Sequence, residues 1–129
     1  MLLDTRVPVR AMLAPDLLSE RTREALAGAT ERCVSAASLQ EITCKAMLGK
    51  WPEVGGRLSM DLDVQLRSSG FEVIPASGVI VERAGRFAWA HRDPFDRVII
   101  ATALERALPV VPKDGMLDDA PSAELHRVR

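Results

Sequence analysis

The sequence is poor in the residues that build zinc sites and disulfide frameworks. Its 129 residues include two cysteines, Cys33 and Cys44, and two histidines, His91 and His126. The cysteines form no CxxC pair, and the histidines are not spaced to complete a zinc site. We therefore expect both cysteines to be free, buried thiols in a reducing cytoplasm, with a disulfide between them as the alternative.

Long hydrophobic runs are also lacking. No apolar stretch approaches the roughly 18 residues that cross a bilayer, and Asp4 interrupts the N-terminus before any basic region or long apolar stretch of a secretory signal. The eight glycines and eight prolines are scattered, which excludes collagen-like and low-complexity chains. A formal net charge of −1 argues against coating nucleic acid by bulk charge, but not against an enzyme that contacts nucleic acid locally.

What the sequence contains is an alternation of strand-like and helix-like segments, with no internal repeat and no linker rich enough in Gly, Ser or Pro to divide it. Its length suits a single domain over residues 1–129. Apolar runs predict the strands, and helical spacing with Ser or Asp caps and glycine stops predicts the helices. The predicted strands are 2–3, 33–34, 71–74, 110–111 and, as a candidate fifth, 125–128; the predicted helices include 21–27, 35–48, 58–69, 79–90 and 95–106.

This alternation predicts an α/β fold with a central, mostly parallel sheet of four to five strands and helices on both faces. Ligands of such sheets bind beyond the carboxyl ends of the strands. Asp4 follows the first strand, Asp114 the fourth, Glu41 lies on the helix after the second, and Asp96 lies in the first turn of the last helix. In a parallel sheet these four carboxylates can converge at one edge, where Mg²⁺ or Mn²⁺ would offset their repulsion.

Each acid also has a plainer structural role open to it. Asp4 could cap the turn before the first helix, and Asp114, which precedes a glycine, fits an ordinary turn. Asp93 with Pro94 predicts the N-cap and first position of the last helix, and Asp96 could close a capping box with Asp93.

Glu41 has a similar alternative. It follows Ser38 by three residues, which is the spacing of a capping box, but it serves that box only if Ser38 is the cap. If Ser35 caps the helix, Glu41 lies too deep in it to take part, and its carboxylate is free for another role. The common position of the four acids is what favours a metal site.

Four segments of the sequence carry recognisable motifs in a fixed order: MLLDT at 1–5, VSAASLQEI at 34–42, HRDPFDR at 91–97, and VVPKD at 110–114. Together they resemble a PIN domain and, within that family, the VapC-type toxins of toxin–antitoxin pairs. The segment 91–97 is the most specific match. The resemblance spans nearly the whole chain, and the middle, 51–90, carries no distinctive motif.

The resemblance implies a three-layer α/β/α fold and a Mg²⁺- or Mn²⁺-dependent endoribonuclease, in which a metal-bound water attacks the phosphodiester in line. Asp4, Glu41, Asp96 and Asp114 would be the catalytic, metal-holding acids. Basic residues near them would meet the RNA backbone, although for any single one of them solvated surface charge or an ion pair with a neighbouring acid is the better explanation. The basic candidates are Arg6, Arg97 and Lys113, with Arg10, Lys45 and Arg92 beside them.

The resemblance further implies a cognate VapB-like antitoxin that lies along the toxin and blocks the acidic site, a homodimer, and a cytoplasmic protein with no membrane partner. Trp51 and Trp89 could stack bases or anchor the core.

Two other functions stay open at this point. Pro112 stands where the family usually has Ser or Thr, and it offers neither a hydroxyl nor an N–H, so a binding module with weakened or lost catalysis is one alternative. A phospho-acceptor receiver domain is another, but it would need paired acids after the first strand. Asp4 is single, and Pro75 follows the third strand.

Overall fold

A three-layer α/β/α architecture with a parallel central sheet is observed, as the alternation of the sequence predicts. The computed structural model describes residues 1–52, 54, 57–58, 61–88 and 93–111. In these residues every strand pair is parallel, and the strand order is β3-β2-β1-β4. The strands are β1 (Leu2–Leu3), β2 (Cys33–Ser35), β3 (Glu72–Ile74) and β4 (Val110–Val111).

The helices largely follow the predicted spacing, with two differences at their ends. The fourth helix begins at Leu62 and not at Leu58, because Leu58 packs against the core from the preceding loop. The fifth helix ends at Arg86 and not at residue 90, because the backbone at Phe87 leaves the helical conformation, with ψ of 130°. The candidate fifth strand, 125–128, lies outside the described residues. The helices are α1 (Arg6–Leu13), α2 (Glu20–Gly28), α3 (Ala36–Met47), α4 (Leu62–Ser68), α5 (Gly78–Arg86) and α6 (Pro94–Arg106), with a 3₁₀ turn at Pro15–Leu17.

Side-chain caps define where the helices begin. Ser35 is the N-cap of α3, and its hydroxyl accepts the N–H of Ala37 at 3.2 Å. Asp93 is the N-cap of α6, and its carboxylate accepts the N–H of Phe95 at 2.9 Å. The predicted caps Asp93 and Ser19 are confirmed. Because Ser35 caps α3, the capping-box role for Glu41 is wrong, and its side chain serves another purpose.

The register of the sheet explains why the core has two sides. Leu2 pairs with Cys33 and Val110, and Leu3 pairs with the next residue of each neighbouring strand. Successive strand residues point to opposite faces, so Leu2 and Leu3 enter different hydrophobic clusters. The Leu3 cluster includes Val9, Val34, Leu66 and Val111, and the Leu2 cluster includes Cys33, Ile74, Ile99 and Val110.

The two cysteines differ in their surroundings. Both are free thiols, as expected. Cys33 is buried in β2, and burial raises the pKa of its thiol above the usual range. Cys44 is exposed on α3, so the expectation that both are buried is wrong for Cys44, which lies on the solvent side of an amphipathic helix. Among the described residues, no helix has the length and apolar character to span a membrane.

Helix α6 ends at a strained residue. Ala107 follows it with φ of 51° and ψ of 46°, a left-handed conformation that suits glycine better than alanine. We expect Ala107→Gly to raise the free energy of unfolding by about 0.5–1 kcal/mol, measured by urea denaturation. Ala29, which ends α2 with φ of −78°, is the matched control, and Ala29→Gly should lower stability. Equal effects at both positions would contradict the explanation.

Candidate active site

Asp4 is buried at the carboxyl end of β1. Asp4 and the next residue, Thr5, are each 2% exposed. The Asp4 N–H donates to the carbonyl of Val111 at 3.0 Å, which continues the pairing of β1 with β4. One carboxylate oxygen, Oδ2, accepts the N–H of Arg6 at 3.3 Å. Asp4 therefore does help to order the first turn of α1.

Glu41 is buried on α3, with 4% of its surface exposed. Its Oε2 atom accepts a hydrogen bond from Lys45 Nζ at 2.6 Å, one turn along the same helix. Its other oxygen, Oε1, is buried and has no hydrogen-bond partner among the described residues. An unsatisfied buried acceptor costs about 1–3 kcal/mol, more when it carries charge. The sequence therefore places a costly, half-paired carboxylate in the interior of the protein.

A buried pair of hydroxyls joins the elements that carry these two acids. Thr5 Oγ1 and Ser38 Oγ lie 3.0 Å apart and share a hydrogen bond. Thr5 directly follows Asp4, and Ser38 precedes Glu41 by three residues, so it lies on the same face of α3. The end of β1 and this face of α3 are thus held together. Sequence reasoning considered Ser38 only as a candidate helix cap and gave Thr5 no role, and the available signal was a hydroxyl residue next to Asp4 and another one helical turn before Glu41.

Asp96 lies in the first turn of α6, as predicted, and is partly buried. Its backbone N–H donates to the Asp93 carboxylate at 3.4 Å. Helix α6 packs against α3, the helix of Glu41. The fold therefore packs the helix that carries Asp96 against the helix that carries Glu41, and Ser38 on that second helix is hydrogen-bonded to Thr5, the residue after Asp4.

The complete four-acid cluster stays a prediction. Asp114, Lys113 and Pro112 lie outside the described residues, as do Arg92 and Trp89. Within the part of the chain that the structure describes, no three side chains of the His, Cys, Asp and Glu types form a group that could hold a metal ion. The unpaired Oε1 of Glu41 nevertheless has the character of a cation ligand, since a cation would satisfy it and offset its charge.

Trp51 is a core residue flanked by cations. It is 5% exposed, so its ring is not presented to solvent for base stacking, and the core-anchor interpretation holds. The guanidinium carbon of Arg6 lies 5.9 Å from the ring centroid, and Lys45 Nζ lies 5.7 Å from it. Both distances are within the range of cation–π attraction. Trp51 therefore restrains two basic side chains that adjoin Asp4 and Glu41.

Arg97 makes structural contacts in the described residues. Its guanidinium donates to the carbonyl oxygens of Ala84 and Phe87, each at 2.9 Å, and lies 5.8 Å from the centroid of the Phe87 ring. These bonds satisfy one carbonyl in the last turn of α5 and the carbonyl of Phe87, which follows the helix. An RNA contact by Arg97 stays a prediction. Arg10, one turn after Arg6 on α1, has a buried Nε atom with no hydrogen-bond partner among the described residues.

Three solved structures share this fold. A toxin–antitoxin complex from Klebsiella pneumoniae is 20% identical, with a TM-score of 0.64, and the match covers 99% of this chain and 97% of that one. FitAcB from Neisseria gonorrhoeae is 21% identical, with a TM-score of 0.65 and coverage of 99% and 96%. VapBC2 from Rickettsia felis, bound to a promoter DNA fragment, is 17% identical, with a TM-score of 0.63 and coverage of 98% and 95%.

The comparison with curated proteins gives no match. The comparison with family models matches the PIN domain over residues 1–122. That range includes all four predicted acids and every described strand and helix. PIN domains are generally nucleases. The parallel sheet, the buried acids at its edge and this match together establish that the chain belongs to the PIN domain family.

Proposed function

We propose that this protein is a divalent-metal-dependent endoribonuclease and the VapC-type toxin of a toxin–antitoxin pair, acting in the cytoplasm, where its RNA substrate is found. The observation that carries the proposal is the buried carboxylate of Glu41. One of its oxygens has no hydrogen-bond partner within the part of the chain that the structure describes, and its helix is bonded through Ser38 and Thr5 to the strand end that bears Asp4. A domain keeps such an unfavourable group where function requires it.

In this proposal Asp4, Glu41, Asp96 and Asp114 hold Mg²⁺ or Mn²⁺. When bound, such an ion supplies a water of lowered pKa and stabilises the charge that develops on the phosphoryl group. The Thr5–Ser38 hydrogen bond keeps the Asp4 and Glu41 elements together before substrate arrives, which reduces the cost of ordering them.

Substrate binding is proposed for basic side chains near the acids. Arg6 begins α1 directly after the Asp4–Thr5 strand end, and it could donate two hydrogen bonds to one phosphate group of the RNA backbone. Lys113 and Arg97 complete the proposed set. Because the net charge of the chain is −1, binding would depend on this local cluster and not on bulk charge.

An antitoxin partner and a homodimer are proposed as well. The solved structures that share this fold include a toxin–antitoxin complex from Klebsiella pneumoniae. At the end of α3, Met47 is 86% exposed and Leu48 is 65% exposed, and large apolar side chains at such exposure are typical of contact surfaces. This end of α3 lies two to three residues beyond Lys45, so a partner chain bound there would lie beside the acidic site.

The test uses the purified protein freed of antitoxin. We expect cleavage of single-stranded or structured RNA in Mn²⁺ or Mg²⁺, and loss of at least about 99% of that activity in EDTA, with recovery when the ion is restored. Activity that is indifferent to EDTA would contradict the metal-dependent mechanism. A protein that binds RNA or antitoxin but cleaves no RNA in either ion would favour the binding-module alternative raised by Pro112.

A further inference from the structure

The contact between Lys45 and Glu41 is more than a surface ion pair. Lys45 Nζ lies 2.6 Å from Glu41 Oε2, and the glutamate side chain is 6% exposed, whereas the lysine side chain is 33% exposed. The carboxylate is therefore buried, and the ammonium reaches it from the solvent side. The two residues are one helical turn apart on α3, so the backbone itself presents one to the other.

The ammonium of Lys45 also lies near an aromatic ring. It lies 5.7 Å from the centroid of the buried Trp51 ring, which attracts a cation electrostatically. Lysine has a flexible four-carbon stem, and its ammonium keeps part of its hydration here. When another cation occupies Glu41, the Trp51 ring would still attract the ammonium.

We propose that Lys45 is the internal counter-ion of the metal site, and that it competes with the divalent ion for the Glu41 carboxylate. This inference rests on the proposed function, because Glu41 is assigned there as a metal ligand. A cation held by Oε1, which has no hydrogen-bond partner among the described residues, would share one carboxylate with the ammonium on Oε2. Two positive charges on one carboxylate repel each other, so the affinity for the ion is lower with Lys45 present.

The Lys45–Glu41 ion pair thus lowers the affinity for the metal ion. When no metal is bound, it offsets the negative charge of Glu41. A lysine that merely positioned Glu41 would have the opposite effect, since its loss would leave the carboxylate disordered and the metal bound less tightly. The sign of the change in metal affinity therefore separates the two roles.

The experiment measures the Kd for Mn²⁺ by isothermal titration calorimetry on protein freed of other metals. Lys45→Met removes the charge and keeps an unbranched side chain, and Lys45→Gln is a second variant in case the first folds poorly. We expect either folded variant to bind Mn²⁺ roughly tenfold more tightly than the wild type. Lys45→Arg, which keeps the charge, should stay close to the wild-type value.

Lys50→Met is the matched control, because Lys50 is exposed beyond the end of α3 and its loss changes the net charge by the same amount. It should leave the Kd unchanged. Equal or weaker Mn²⁺ binding by the folded Lys45 variants would overturn the inference, even if the wild type binds Mn²⁺ and cleaves RNA. If neither the wild type nor the variants bind Mn²⁺, the inference and the metal-dependent mechanism both fail. Tighter binding without any RNA cleavage would support the inference and contradict the proposed nuclease.

Discussion

Exchange of Glu41 for glutamine is expected to lower the rate of RNA cleavage at least about 100-fold. Glutamine keeps the size of the side chain but removes the charge that would hold a divalent ion, and loss of even an indirect metal contact commonly costs 10–100-fold. The measurement is the single-turnover rate of RNA cleavage in Mn²⁺. Asp4→Asn should behave in the same way, since Asp4 is the other buried acid at this edge.

The same substitution should not unfold the protein. Oε1 of Glu41 is buried and has no hydrogen-bond partner among the residues that the structure describes, so the neutral side chain removes an unfavourable charge while it loses one ion pair with Lys45. We expect the free energy of unfolding to change by less than about 1 kcal/mol or to rise, which is the usual trade between activity and stability at a functional site. Glu24 is exposed on α2, and Glu24→Gln, the matched control, should change neither quantity. Full activity of the Glu41 variant would remove this residue from the site.

Truncation of Ile99 to alanine is expected to lower the free energy of unfolding by about 2–5 kcal/mol. Ile99 is fully buried on α6. It belongs to the hydrophobic cluster that also contains Leu2 and Val110 of the sheet. Its loss removes buried apolar area and leaves a cavity that a close-packed interior fills only in part. Urea denaturation followed by far-UV circular dichroism gives the value.

Two further variants calibrate that result. Ile99→Val removes a single methyl group and should cost about 0.5–1.5 kcal/mol. Val79→Ala on α5 removes two methyl groups from a mostly exposed position and should change stability by less than about 0.5 kcal/mol. A cost for Ile99→Ala no larger than that of Val79→Ala would mean that α6 does not depend on this cluster for its place against the sheet.

Local chemistry predicted the elements well where one residue decides the outcome. Ser19 and Asp93 are helix caps because a side-chain oxygen next to a free N–H needs no distant partner. The glycines after α3 and α4, Gly49 and Gly70, adopt positive φ values, as helix stops predict. The end of α5 could not be predicted in this way, because Arg97, from a different helix, bonds to one carbonyl of its last turn and to the carbonyl just beyond it.

For the candidate site, sequence reasoning identified the acids but not what surrounds them. Asp4 and Glu41 stand out because each follows a strand in an alternating pattern. The hydroxyl pair of Thr5 and Ser38 joins residues 33 positions apart, and the Lys45–Trp51 contact depends on how the chain turns after α3. Such contacts depend on the path of the backbone, which spacing along one element does not specify.

The alternation of apolar runs and capped helices was enough to specify a parallel α/β sheet, because burial and backbone hydrogen bonding act locally and repeat with a fixed period. It also specified which acids follow the strands. Only the folded arrangement decided that Glu41 would be buried, with one oxygen bonded to Lys45 and the other without a partner in the described ranges, and that Cys44 would face solvent. Burial and pairing of a charge depend on every element packed around it, and that packing is a property of the whole chain.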